Sequence, residues 1–446
     1  MYFVVLAGLA LGIFSYGLAA EPGGWLTAGL GTAAMTLVPG TGAALFMMYC
    51  RRMSRHGAEP ANGTGRWSLS HLYPRATHAV ELLMLASYGV TLYVFGWAAL
   101  PQALDIAYLD LPSGALIAAP FVIGIILAWI PLHYAEVRVR GAGPTLGERL
   151  SFNIRQYILT LCVPMGLVLG AIDAASMLPG GVRDFFANPI AGLAAGAAAG
   201  VIGFTLAPLV LVRIWKTSRL GDTPIRRRLA GLCGRIGVAF REIRVWETPG
   251  LYFLNAAVMG VIARMRYILV SRTLLEVMPP EEIEAVFAHE LGHAKRHHLA
   301  YYLVFAGNFV ILANLFDTLT GAPDLWPSTA YLVASAGAFA LYWGLGFGYV
   351  SRTFEREADL FGAETVGSVG LFTNGLVMIA HMNGMNPAAR SWRHGSIKSR
   401  VLFLEAAERS TEVRARFVYK ARFVRAFLVT TAAASAAATY IAHQLM

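Results

Sequence analysis

His289, Glu290 and His293 are the residues of this chain whose types and spacing most directly allow chemistry. On an α-helix four residues turn through about 400°, so both imidazoles leave from one face and can share one Zn²⁺. Glu290, about 100° further round, could then take a proton from a metal-activated water and return it to a leaving amine. Ligand, ligand and base are available in five residues. The bland alternative is a solvated helix that carries the same residue types.

The stretch that must hold them reads as a helix. Pro279 and Pro280 precede Glu281 and Glu282, which places proline in the first turn and acids against the positive end of the helix dipole. Ile283, Val286, Phe287 and Leu291 recur at helical spacing and supply a buried stripe.

The rest of the chain is dominated by apolar runs. Of its 446 residues 57% are hydrophobic and 14% charged, outside the usual range of soluble domains. Runs at 2–20, 25–48, 82–100, 113–132, 156–178, 190–212, 299–316, 329–350 and 426–444 are each about long enough to cross a hydrocarbon core. The first, which lacks a basic residue ahead of it, reads as a retained span rather than a signal peptide. Nine transmembrane helices are therefore expected.

Charge orients them. Arg51, Arg52, Arg55, Arg66 and Arg75 follow the second run, and Arg138, Arg140, Arg149 and Arg155 follow the fourth. The alternate connections carry Glu21, then Asp105 and Asp110, then Arg183 with Asp184, then Asp317 and Asp324. The positive-inside rule puts the basic loops, the N-terminus and the His289–His293 segment in the cytoplasm and the C-terminus outside. The net charge of +10 is then a topology signal and an attraction to anionic lipid, and nucleic-acid binding is not expected. Cys50, Cys162 and Cys233 are scattered and read as packing residues.

Between the sixth run and the His289 segment lies a polar region. Thr223 is a candidate N-cap, and Leu229, Leu232, Cys233 and Ile236 form one face of an amphipathic helix whose other face holds Arg226, Arg227, Arg228 and Arg235. Such a helix is expected at the membrane surface. Three β-prone runs follow, 242–247, 251–260 and 266–275, with Thr248-Pro249-Gly250 as a turn; a small antiparallel sheet is the simplest arrangement. Asn255, Ala256 and Ala257 are small enough to let a substrate backbone approach, so 251–260 is the candidate substrate-binding edge strand.

This order of helix, strands and His289-Glu290-Leu291-Gly292-His293 resembles the HtpX-type and CAAX prenyl endopeptidase family of membrane zinc metallopeptidases. Ser351-Arg352-Thr353-Phe354-Glu355-Arg356-Glu357-Ala358-Asp359 resembles the family's SRxxExxAD segment. The resemblance implies that Glu355 is the third zinc ligand. The chemistry agrees, since a catalytic zinc takes three protein ligands and Asp359, one turn on, can support the site while Glu357 points away. His394 and Arg400 keep the spacing of a further family segment, although Gly395-Ser396 stands where the family has Pro-Pro. The resemblance implies that His394 lies near the oxyanion and Arg400 in the charge network around Asp359. It spans about residues 223–404.

The expected architecture is a mainly α polytopic membrane protein with a small α+β zincin-like catalytic domain. Residues 1–215 form six transmembrane helices, 216–298 the sheet and the His289 helix, and 299–350 two transmembrane helices. Residues 351–425 supply the third ligand, and 426–446 a last span. The expected activity is zinc-dependent endopeptidase cleavage of membrane-associated or lipidated substrates at the cytoplasmic face of a bacterial inner membrane, with one Zn²⁺ per chain. A protease-domain sensor that cleaves one signalling partner, or a non-catalytic zinc-bearing chaperone or transporter, are the alternatives. Asp173, His133, His297, His298 and His381 carry no assigned catalytic role.

Overall fold

The computed structural model describes residues 2–15, 24–55, 64–178, 180, 189–248, 253–321, 328–383 and 385–445. The chain divides into two compact units, Met1–Arg183 with short later pieces, and the remainder.

The first unit is helical: α1 (Tyr2–Ser15), α2 (Trp25–Arg55), α3 (Thr64–Tyr93), α4 (Asp110–Arg140), α5 (Leu146–Asn153) and α6 (Thr160–Ser176). Tyr88, Phe121, Ile125 and Trp129 fill its core. Asp173, an apolar-run acid with no evident partner in sequence, is buried and accepts hydrogen bonds from the Asp110 and Leu111 amides at 2.7 and 3.0 Å. It caps the N-terminus of α4, where backbone N–H groups would otherwise stay unpaired.

The second unit carries α7 (Pro189–Ile214), β1 (Thr217–Arg219), α8 (Pro224–Ile236), β2 (Glu242–Trp246), β3 (Ala256–Met259), β4 (Tyr267–Ser271) and α9 (Arg272–Val277). After these come α10 (Pro280–Lys295), α11 (His298–Thr320), α12 (Ser328–Phe339), α13 (Gly348–Val366), α14 (Val369–Met382), α15 (Ile397–Arg409) and α16 (Thr411–Leu445). Among the described residues seven helices are long and apolar enough to cross a membrane, or eight if the bent pair Leu72–Tyr93 and Trp97–Ala103 is one span. These correspond to the expected runs from Trp25 onward. The first expected run is helical to Ser15, and its remainder lies outside the described residues.

The sheet differs from the expected antiparallel one. Its order is β1-β2-β4-β3, with β2 and β4 parallel and the two outer pairs antiparallel. Every residue of β4 is buried, as suits a strand covered on both faces in the centre. The alanine-containing β3 falls at the edge. β1 escapes sequence reading because Thr-Ser-Arg has no apolar alternation; it is held by Arg244, which donates to the Thr217 carbonyl and hydroxyl at 2.8 and 2.6 Å. The expected turn at Pro249-Gly250 lies outside the described residues.

The apolar face of helix α8 packs inside the domain rather than being left free for a membrane. Leu229, Leu232 and Cys233 are buried with Ile243, Ile268, Phe287 and Leu291 in one core, so its apolar face is used up against the sheet and α10. Thr223 caps it by accepting from the Arg226 amide, and on its basic face Arg228 pairs with Glu281 and Glu284 of α10.

Two glycines allow α10 and α13 to cross closely. A Cβ on Gly292 would lie 3.0 Å from Ala358 Cα, and one on Gly362 would meet the Phe372 ring at 2.4 Å and the His289 amide nitrogen at 3.1 Å. This contact brings the acids of α13 against the histidines of α10.

Candidate active site

Three side chains converge where α10 and α13 cross. His289 and His293 present their Nε2 atoms to each other at 3.2 Å. Glu355 lies at 3.5 Å from the first and 3.6 Å from the second, through different carboxylate oxygens. At zinc–ligand bonds of about 2.0–2.2 Å, tetrahedral ligand atoms stand about 3.4 Å apart, so the triad has the span of a zinc site.

The surroundings fix which nitrogens face inward. His289 Nδ1 is 3.0 Å from Asp359 Oδ1, so its proton belongs on Nδ1 and the Nε2 lone pair points at the cluster. His293 Nδ1 is 2.9 Å from His298 Nδ1, and His298 Nε2 is 3.1 Å from Glu357 Oε2. A carboxylate only accepts, so His298 donates from Nε2, accepts at Nδ1, and holds the His293 proton on Nδ1. Two lone pairs and a carboxylate therefore face one another across a few ångströms. Glu355 Oε2 is buried and makes no hydrogen bond among the described residues. Such a donor set calls for a cation, and nitrogen, nitrogen and carboxylate oxygen suit Zn²⁺. Without one, the carboxylates of Asp359 and Glu355 outweigh the lowering effect of burial and raise His289 to about 10.

Arg400 lies behind the acids. It is buried, donates from Nε to Asp359 Oδ2 at 2.7 Å and from Nη2 to Oδ1, and places Nη1 3.4 Å from Glu355 Oε2. Its guanidinium is held above its ordinary pKa: burial alone would lower it, but the Asp359 carboxylate more than compensates. His394, half exposed, places Nδ1 2.9 Å from Glu355 Oε1. The segment that carries it is pinned by Trp392, which donates from Nε1 to the Gly344 carbonyl at 2.6 Å and accepts at its own carbonyl from Arg352 at 2.8 Å. Gly395 adopts φ +73°, and Ser396 caps α15 by accepting from the Ser399 amide. The Gly-Ser pair thus makes the turn that presents His394 and starts the helix that carries Arg400.

Glu290 sits between the metal-ligating face and the sheet. Burial raises its carboxyl to about 7, against the lowering pull of His289, a hydrogen bond from the Val258 amide, and Arg400. Strand β3 therefore runs beside Glu290. Asn383 fixes the chain entering the strand, accepting from the Leu254 amide at 3.2 Å and donating to its carbonyl at 3.1 Å. The Asn255 carbonyl accepts from Ser271 of β4. In an antiparallel ladder backbone groups alternate, so Asn255 and Ala257 face β4 while Ala256 and Val258 face outward. Of the residues expected on the substrate edge, only Ala256 has its amide on the open side.

The structure thus brings together His289, Glu290, His293, Glu355, Asp359, His394 and Arg400. Sequence reasoning missed His298; Glu357 points away from the metal-ligating cluster, as expected, but its partners were not foreseen. Glu357 is buried, accepts from His298, and takes two contacts of 2.7 Å from Arg425 Nη1. His297 adopts φ +57° and breaks the helix, turning His298 back under His293. A break of that kind leaves no periodic signal.

Residues 224–423 match the model of peptidase family M48. A CAAX prenyl protease 1 homolog of Oryza sativa subsp. japonica is 24% identical over 236 residues, 48% of this chain and 55% of the rice protein. A protease HtpX homolog of Aeropyrum pernix is 25% identical over 256 residues, 55% of this chain and 78% of its own length. Protease HtpX of Chromohalobacter salexigens is 31% identical over 139 residues, 28% of this chain and 46% of that protein. The chain matches little more than half the length of the rice relative. In fold it is similar to the crystal structure of S. mikatae Ste24p, with a TM-score of 0.53 at 16% identity, covering 83% of this chain and 99% of that one. The apolar helices and these relatives mark an integral membrane protein, and residues 224–423, a little under half of the chain and the part that holds the site, match peptidase family M48 and are similar to HtpX and CAAX prenyl proteases.

Proposed function

We propose that the protein cleaves peptide bonds of membrane-associated or lipidated proteins at the cytoplasmic face of a bacterial inner membrane, using one Zn²⁺ held by His289, His293 and Glu355. The observation that carries this reading is the lone-pair cluster of His289 Nε2, His293 Nε2 and the Glu355 carboxylate, with Glu290 and an open strand edge beside it. Bound zinc supplies a Lewis acid that polarises the scissile carbonyl and acidifies water.

The chain's own residues do the rest. Glu290 accepts the proton of the attacking water and delivers it to the leaving amine. His394 donates from Nδ1 to Glu355 and, with a second proton on Nε2, donates from there to the developing oxyanion. Arg400 and Asp359 hold His289 and Glu355 in place. Strand β3 pairs with the substrate backbone through the outward groups of Ala256 and the Val258 carbonyl.

A membrane-tethered substrate is supported by the position of Glu355, which lies on the continuous apolar helix Val333–Val366. The name CAAX prenyl protease 1 homolog on the rice relative supports a lipidated one. The cytoplasmic orientation rests on the loop charges. The test is cleavage of a prenylated CAAX peptide and its unprenylated counterpart by purified zinc-loaded protein. Wild type is expected to cleave the prenylated peptide and Glu290→Gln neither, whereas equal cleavage of both peptides would remove lipid from the recognition.

A further inference from the structure

A second cavity lies away from the metal-ligating face, between α13 and the basic start of α16. It measures about 110 Å³, several times the room one water needs. Arg296, Arg414, Arg422 and Arg425 line it, against Glu357 and Glu364 alone. Arg414 pairs with Glu364 at 2.5 Å. Arg425 and Arg296 share the other carboxylate, at 2.7 and 3.7 Å from Glu357 Oε1. Arg422 is exposed and has no ion-pair partner among the described residues. Four guanidinium groups thus converge on two carboxylates, and the surplus positive charge points into an open space.

The position of this cavity selects the ligand. The apolar part of α16 begins at Ala426, directly after Arg425, and that of α11 begins at Leu299, just after Arg296. The arginines therefore stand at the level where a bilayer carries its phosphates. Guanidinium forks match phosphate oxygens in geometry and charge, and basic pockets between membrane helices hold lipid headgroups. We propose that this cavity binds a phosphate group, supplied by the headgroup of an anionic phospholipid. Glu357 links it to the metal site, since the same carboxylate accepts from His298 beneath His293.

The experiment uses the full chain, purified in detergent. Native mass spectrometry counts retained phosphatidylglycerol and phosphatidylcholine on wild type, Arg422→Gln and Arg422→Lys, and the thermal midpoint is followed as each lipid or inorganic phosphate is added. Wild type should retain phosphatidylglycerol over phosphatidylcholine and gain thermal stability from it. Arg422→Gln should weaken that retention by about fivefold, the share of one arginine near a lipid surface, and Arg422→Lys should keep most of it. If inorganic phosphate alone reproduces the whole stabilisation, the lipid source is overturned. Equal retention by wild type and Arg422→Gln, or no preference between the two lipids, would overturn the site.

Discussion

His298 Nδ1 lies 2.9 Å from His293 Nδ1, although the backbone between them breaks at His297. This contact makes His298 a positioning residue: it fixes the tautomer that leaves His293 Nε2 free to ligate. His298→Ala should therefore weaken zinc about 10- to 100-fold, the usual cost of losing a partner behind a ligating histidine. Competition with a chelator of known affinity measures it, and an unchanged affinity would reduce His298 to packing against Phe354, on whose ring it stacks at 4.3 Å.

Gly292 should prove as restrictive as the ligands. A methyl group there meets Ala358 Cα at 3.0 Å, and backbone cannot swing aside as a flexible side chain can. Gly292→Ala is expected to cost about 1–3 kcal/mol of stability, the range for overpacking, and to weaken zinc by separating Glu355 from the histidines. Thermal unfolding together with metal content would check both effects. A variant of normal stability and normal zinc content would show that the crossing of α10 and α13 has slack.

The site was legible in sequence wherever it follows helix geometry. His289, Glu290 and His293 share one helix, and Glu355 and Asp359 stand one turn apart on another, so spacing alone gives their directions. What was not legible depends on contacts between distant segments. The partner of Glu357 is set by a left-handed residue and by Arg425 of α16. The cap that Asp173 gives to α4 joins segments far apart in the chain. The strand order failed for the same reason: the apolar runs marked β2, β3 and β4, but nothing local says that the wholly buried β4 sits between the other two.

The acid side of the rate profile should report Glu290. Its carboxyl rises from 4.5 to about 7 in the metal-free site, burial being the main cause. A general base works as the carboxylate, which is present above its pKa and lost as pH falls through it. A bound cation pulls the value back down, so kcat/KM is expected to fall along a limb between 4.5 and about 7. A profile of the zinc-loaded enzyme that stays flat down to pH 4.5 would take Glu290 out of the proton transfer.

The loop charges carry the topology. A reporter near Asn62, in the arginine-rich connection after α2, is expected to read as cytoplasmic, and one fused after Met446 as external. Both reporters on one side would contradict the expected nine spans and would require another count.

Proline scanning of β3 tests the substrate edge, and the ladder decides where to place it. The amide of Ala257 faces β4, whereas that of Ala256 faces outward, because the Asn255 carbonyl accepts from Ser271 and the antiparallel ladder alternates from there. Proline removes a donor wherever it stands. At Ala257 it breaks a bond inside the sheet, so Ala257→Pro should lower stability and zinc content together. At Ala256 it removes only a donor on the open edge, where proline is tolerated. Ala256→Pro should stay folded and zinc-loaded while kcat/KM falls by about tenfold, the loss of one substrate hydrogen bond. Thermal midpoint, metal content and turnover of the two variants separate the effects. Normal turnover by folded Ala256→Pro would mean that the substrate backbone does not pair with β3.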